Sequence, residues 1–228
     1  MKNKTLIIDC DGVLYPTSML SLQEFVTAMK DTYRNDLKID GATQEKVSKE
    51  TLAKNRLGMF NFINALCNEV GYDFDAFCLK MQETTDYSKI SRDDALFNLL
   101  CAETKQNRVV ILTNNHMSHL NKVLQMRFGK NVFEFQDAGI ECFDIKSTMR
   151  NRVFYPKQNP KSLEIFADRL GVLPQDCILI DDTQRNLDSA KQVGMQTVLI
   201  DDEKLTLKQY LTNLNPPKII NRSGKQND

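Results

Sequence analysis

Residues 4–16 read KTLIIDCDGVLYP. The first five are a short run of mainly apolar side chains, too brief for a helix, that stops at an acidic turn carrying Asp9 and Asp11. Such a run reads as a strand buried on both faces. Three more runs share its character: RVVILT at 108–113, CILI at 177–180 and QTVLI at 196–200. Helical segments stand between them, at 93–104, 117–128, 161–170 and 184–193, the last closed by Gly194. Segment 132–142 is mixed, with a short strand near 139–142. Strands alternating with helices predict βαβ units, and hence an α/β, Rossmann-like doubly wound parallel sheet covered on both faces.

Between the first strand and the second the pattern is helical. Ser21 followed by Glu24 makes a capping box for a helix to about residue 35, with Leu22, Phe25, Val26 and Met29 on one face. A polar helix is expected within 39–56, from Thr43 onward, and two amphipathic ones at 58–71 and 73–84. The chain is therefore expected to divide into a core domain, 1–15 and 91–215, a helical cap inserted at 16–90, and a polar, disordered tail at 216–228.

The bulk composition suits this plan. In 228 residues, 41% are hydrophobic and 26% charged, enough for a substantial core without disulfides. Thirty basic and thirty acidic side chains cancel, so no global charge draws the protein to a nucleic acid polymer or an anionic membrane. No apolar stretch has the length of a membrane span, and TLII is too short for the core of a signal peptide. The six cysteines include no CxxC pair, and most sit among aliphatic or aromatic neighbours, as buried thiols of a reducing compartment do. The expectation is a cytoplasmic protein that acts on a small molecule. The sequence carries no signal of oligomeric state.

In open parallel sheets, ligands bind at the carboxyl ends of the strands. Here those ends carry Asp9 and Asp11, then Thr113 and Asn114, then Asp181 and Asp182, with Lys157 in the segment before a helix. Two carboxylates at i and i+2 can divide the work, one attacking phosphorus and the other handling the leaving-group proton. Mg2+ prefers oxygen ligands and keeps several waters, so Asp9, the carbonyl of Asp11 and Asp182 suffice to hold it. The Thr113 hydroxyl and Asn114 amide suit phosphate oxygens at a helix start, and Lys157 supplies a fixed cation.

DCDGVLYP resembles the first motif of the haloacid dehalogenase superfamily, whose pattern is DxDxT/V. ILTNN resembles its second motif, Lys157 with PKSLEIFADRLGV its third, and LIDDTQRNLDSAKQVGMQTVLI its fourth. The resemblance implies a Mg2+-dependent phosphomonoester hydrolase that works through an aspartyl-phosphate beneath a mobile cap. Asp9 is then the nucleophile, Asp11 the acid/base, Thr113 a phosphate binder, Lys157 the stabiliser and Asp182 a metal ligand, with Asp181 assisting the metal or its waters. Asn186 stands where relatives often have Asp, Val13 replaces the common Thr, and Lys161 competes for the role of Lys157. LYP, the helical cap, LTNN and LIDDTQRN are similar to the pyrimidine 5′-nucleotidase branch, which implies a nucleoside monophosphate substrate. His116 and His119 read as surface or capping groups, and Phe60, Phe62 and Asn64 as cap core. The rivals are a phosphomutase with the same core residues and a binding protein that keeps the fold without turnover. The intact acidic cluster argues against the second, because gathering like charges is costly.

Overall fold

The computed structural model describes residues 3–54, 56 and 58–214, so the expected disordered tail lies outside the described residues. The chain runs through β1 (Thr5–Ile8), α1 (Leu22–Asp31), α2 (Gly41–Ala53), α3 (Met59–Val70), α4 (Phe74–Thr84) and α5 (Asp94–Glu103). It continues through β2 (Arg108–Leu112), α6 (Met117–Phe128), α7 (Val132–Asp137), β3 (Ile140–Phe143) and a small antiparallel hairpin, β4 (Met149–Arg150) with β5 (Val153–Phe154). The last elements are α8 (Pro160–Leu170), β6 (Cys177–Asp181), α9 (Gln184–Gln192), β7 (Gln196–Leu199) and α10 (Leu207–Leu214).

Five strands form one parallel sheet in the order β3-β2-β1-β6-β7. β1 is central and wholly buried, as its unbroken apolar run requires. Alternate residues supply two cores. Leu6, Ile8, Val109, Ile111, Ile178 and Ile180 face a cluster that includes Leu100, Leu120, Leu124, Phe128 and Leu211. Ile7, Val110, Leu112 and Leu179 face the opposite cluster, with Leu163, Phe166, Leu187 and Ala190 from α8 and α9.

The α/β alternation read from the sequence is present, with some differences. The mixed stretch resolves into α7 and β3, because Asn131 and Glu134 form a capping box ahead of the strand. α2 begins at Gly41 rather than near Thr43, because the Asp40 carboxylate accepts the Thr43 amide. Beyond α1 the backbone widens into a π-helical turn, Thr32–Asp36. The β4–β5 hairpin and α10 were not expected. The hairpin's strands have two residues each, too few to show a period, and its turn places Asn151 and Arg152 at positive φ.

Helices α1–α4 share an apolar cluster built on Phe25, Tyr33, Phe60, Ile63, Leu66 and Phe77, and Ile145 and Phe154 of the α/β part belong to it too. Arg127 of α6 fastens the ends of this helical block. Its guanidinium donates to the carbonyls of Leu14 (3.0 Å) and Ser91 (2.6 Å) and pairs with Asp93 (3.1 Å). Leu14 lies where the chain leaves β1, and Ser91 and Asp93 where it returns before α5. Replacing Arg127 with Met removes the donor from the buried Leu14 carbonyl and from the Ser91 carbonyl, and leaves Asp93 with Lys208 alone among the cations of the described residues. A loss of about 3 kcal/mol is expected, seen in thermal unfolding as a midpoint roughly 6–12 °C lower.

Candidate active site

β1 and β6 are parallel neighbours paired Ile8 to Ile180, so the next residue on each, Asp9 and Asp181, stand side by side. Between them lies Lys157, 1% exposed, with Nζ 2.6 Å from Asp9 Oδ1 and 2.7 Å from Asp181 Oδ2. Burial works against the ammonium, but Asp181 and Asp9 outweigh it and hold Lys157 protonated above the usual lysine range. Burial pushes the Asp9 carboxyl up, against the pull of Lys157. Asp181 is saturated: its Oδ1 also accepts the Thr183 amide and the Asn186 side-chain amide, both at 2.9 Å.

Asp9 is not saturated. Its Oδ1 takes Lys157 and the Cys10 amide (2.6 Å), which leaves Oδ2 without a hydrogen-bond partner among the described residues. Asp182 is half-buried beside it, its carboxyl raised by burial and by the charge of Asp181. Carboxylate oxygens of Asp9, Asp181 and Asp182 lie within 4.8 Å of one another. Gly12 makes room for this group. Its φ is +74°, and a Cβ there would stand 2.2 Å from Asp182 Oδ2.

Asp11 occupies a different environment. Its Oδ1 accepts from the Tyr15 hydroxyl and from His119 Nε2 (2.7 Å), and its Oδ2 from Asn115 Nδ2 (2.7 Å) and, longer, the Thr113 hydroxyl (3.4 Å). Burial would push the carboxyl up, but His119, Tyr15 and Asn115 outweigh it and hold Asp11 well below the usual carboxylate range. Two carboxylates two residues apart are thus pushed in opposite directions.

Thr113 is buried, with its hydroxyl turned to Asp11 and accepting the Asn115 amide (2.9 Å). Asn114 lines the cavity described below, and its Oδ1 accepts the Lys157 backbone amide at 2.9 Å, fixing the loop that carries the lysine. The helix expected over 117–128 is observed as α6, starting at Met117. His116 and Asp144 cap it, taking the amides of Ser118 and Met117. The capping role of His116 is therefore observed, whereas His119 is buried against Asp11. Lys161 is no competitor for Lys157, because it sits on the surface of α8 paired with Glu164. Phe60 is buried and lines the cavity as well as the cluster of the helical block. Sequence reasoning missed Tyr15, Asn115 and His119. For His119 a signal existed: it shares the inward stripe of α6 with Val123 and Arg127 at four-residue spacing.

These residues surround a cavity of about 480 Å³. Asp9, Asp11, Asn114, His119 and Asp182 lie on the α/β side and Leu22, Phe25, Met59 and Phe60 on the helical side. The site sits where an open parallel sheet binds ligands, and its motifs follow one another in family order. The family described as haloacid dehalogenase-like hydrolase matches residues 3–194, and the protein belongs to it. No curated protein matches. Among solved structures, a HAD family enzyme from Bacteroides thetaiotaomicron in complex with magnesium and inorganic phosphate is similar. It has 17% identity and a TM-score of 0.51, over 87% of this chain and 94% of that one. A mutant of CbbY from Rhodobacter sphaeroides in complex with xylulose-(1,5)-bisphosphate has 15% identity and a TM-score of 0.54, over 88% and 86% of the two chains. At these identities the likeness shows the fold. Among the described residues no helix is long and apolar enough to cross a membrane.

The close approach at Gly12 gives a direct test. Gly12→Ala should cost at least about 1–2 kcal/mol from its left-handed backbone alone. The collision with Asp182 adds to that. A double variant with Asp182→Ala should be more stable than the two single losses predict, by on the order of 1 kcal/mol, when unfolding is measured as a double-mutant cycle.

Proposed function

We propose that the protein is a Mg2+-dependent phosphomonoester hydrolase in which Asp9 is the nucleophile. The observation that carries this reading is the open Oδ2 of Asp9, on a carboxylate whose other oxygen is held by buried Lys157, facing a cavity shared with Asp11 and Asp182. The donor set suits magnesium. Asp9, Asp182 and the carbonyl of Asp11 offer hard oxygens, and Asp181 stands behind them, already committed to Lys157. Four carboxylates facing Lys157, His119 and Arg185 also leave the site short of positive charge. The ion, when bound, offsets the repulsion between carboxylate and phosphate and polarises the phosphoryl oxygens.

In the first step an Asp9 oxygen attacks phosphorus, the bond from phosphorus to the alcohol oxygen breaks, and Asp11, which takes up a proton from the entering phosphate monoanion, passes it to that oxygen. In the second, water attacks the aspartyl-phosphate, Asp11 takes the water's proton, and the bond to Asp9 breaks to release inorganic phosphate. Lys157 fixes Asp9 and carries charge against the phosphoryl group. Asn114, which lines the cavity, is the phosphate contact, and Thr113 lies buried behind it with its hydroxyl on Asp11 and the Asn115 amide. Helices α1–α4, the inserted cap, wall the leaving-group side.

Within this class we place the substrate among nucleoside monophosphates, pyrimidine ones first. The motif resemblance supports that placement, and so does the wall chemistry. Phe25, Phe60 and Phe154 give flat apolar surface, Ser21 and Gln158 give polar edges, and no lining residue from the helical block is charged. A second phosphate or a carboxylate on the leaving group finds no cation on that wall. Arg185, at the start of α9, is on the opposite side.

Asp9→Asn should lower turnover by at least about 10³-fold in a folded protein, since an amide cannot form the acyl-phosphate. Exhaustive chelation should abolish phosphate release and added Mg2+ restore it, and full activity in chelator would refute the metal dependence. Comparing kcat/KM for UMP, CMP, AMP, glucose phosphate and phosphoglycolate tests the substrate class. UMP and CMP are expected to lead. A lead of about tenfold by a sugar phosphate or phosphoglycolate would leave only the general phosphatase reading standing.

A further inference from the structure

His119 is 2% exposed and has a partner at each ring nitrogen: Nε2 lies 2.7 Å from Asp11 Oδ1, and Nδ1 lies 2.8 Å from the Tyr87 hydroxyl. Nε2 thus shares a hydrogen bond with Asp11 and Nδ1 one with the Tyr87 hydroxyl, so both ring nitrogens are held. The Phe25 ring meets the imidazole edge-on, centroids 5.0 Å apart at 73°. Phe25 belongs to α1, and Tyr87 to the segment that leads from α4 back to α5. The imidazole itself is on α6, under the sheet's carboxyl edge. Tyr87 packs in the cluster of the α/β core and Phe25 in that of the helical block, so the two meet at the ring that holds Asp11.

We propose that His119 is a positioning residue for the proton-transfer step: gripped by Tyr87 and Phe25, it aims the Asp11 carboxyl into the cavity only while the helical block is seated. This rests on the reading of Asp11 as acid/base. Asp11 has a short side chain with two free torsions, and Tyr15, from its own loop, cannot fix both. Asn115 and His119 supply the other restraints, and of these only His119 reports the place of the helices. An Asp11 that points elsewhere cannot protonate the departing oxygen, and the bond to a poor leaving group then breaks slowly.

The consequence is a dependence on leaving group that a purely structural role does not produce. An alkyl phosphomonoester expels a strongly basic alkoxide and needs the proton, while p-nitrophenyl phosphate expels a weakly basic phenolate and needs it little. The quantity to measure is kcat/KM, which covers the steps through departure of the leaving group, for UMP and for p-nitrophenyl phosphate with Mg2+. His119→Leu should reduce the UMP to p-nitrophenyl ratio by at least about tenfold, approaching the reduction in Asp11→Asn. His119→Gln, whose amide can still donate to Asp11, should recover most of it. Tyr87→Phe, which removes one hydroxyl and keeps the ring, should lower the ratio by a smaller factor, and it carries the test if His119→Leu does not fold. Turnover of p-nitrophenyl phosphate shows that each variant has a formed site. A wild-type ratio in the folded His119 or Tyr87 variants, beside a collapsed ratio in Asp11→Asn, overturns the proposal. A wild-type ratio in Asp11→Asn as well would show that the acid/base reading of Asp11 is what failed.

Discussion

Lys157, enclosed by Asp9 and Asp181, is the interaction on which the rest of the site depends. Adjacent parallel strands lie about 4.8 Å apart, so the pairing of β1 with β6 forces two carboxylates together at the ends of buried strands. Without a cation between them, one would have to take up a proton, and Asp9, the less well hydrogen-bonded of the two, would lose its charge. The ammonium removes that conflict and sets an order of occupation. Asp181 is filled by Lys157, Thr183 and Asn186, whereas Asp9 is half filled and keeps an oxygen for the cavity. Asn114 extends the dependence to β2, because its carbonyl holds the Lys157 amide. Deleting a lysine so enclosed costs about 3–5 kcal/mol in comparable buried pairs, since the carboxylates remain. Stability and chemistry therefore rest on the same ion pairs.

Asp9 and Asp11 show how one turn makes two different acids. Both are buried, and burial alone pushes both upward. The difference is in the donors. Asp9 has one ammonium and one backbone amide, while Asp11 has a phenol, an imidazole and a carboxamide converging on it. The donors, not the burial, therefore set the two carboxyls apart. Gly12 belongs to the same device. A side chain there would occupy the space of the Asp182 carboxylate, so the turn that separates Asp9 from Asp11 also admits the third acid.

Much of this was legible in the sequence because it depends on local pattern. The buried strands are unbroken apolar runs, and the acids, the threonine and the asparagine stand at their ends, where topology brings them together. The choice of Lys157 over Lys161 was also written there. Asn159 followed by Pro160 is a helix cap and a first helical residue, which puts Lys161 on the outer turn of α8 and Lys157 in the loop before it. What stayed hidden was set by tertiary contact. Tyr15 and Asn115 acquire their roles only when Asp11 lies between them, and no spacing announces that. His119 stood on an inward helical stripe, yet its partners Tyr87 and Phe25 are far away in the chain. The hairpin of β4 and β5 is too short for a period, although it supplies Phe154 to the cavity wall.

The helical block is held to the core by bonds of a particular kind. Asn61 of α3 donates to and accepts from the backbone of Phe154, at 2.7 and 3.0 Å. Asp75 of α4 pairs with Lys146 and, at 3.2 Å, with His116, while the Phe74 ring stacks on Phe154 with centroids 5.2 Å apart. If the block separated from the core, each polar group would meet water rather than an apolar interior. Each such bond would then cost only its net worth, about 0.5–1.5 kcal/mol, rather than the penalty of a buried unpaired group. Ile145 and Phe154 are the buried residues of the α/β part that share the block's apolar cluster. Arg127, by contrast, ties the two connecting segments to each other, with a buried bond to Leu14 and a partly buried one to Ser91. The connecting segments are thus tied through a guanidinium, and the contact face through separate polar bonds. That arrangement suits a phosphate ester that must reach Asp9 from a side that the helices cover.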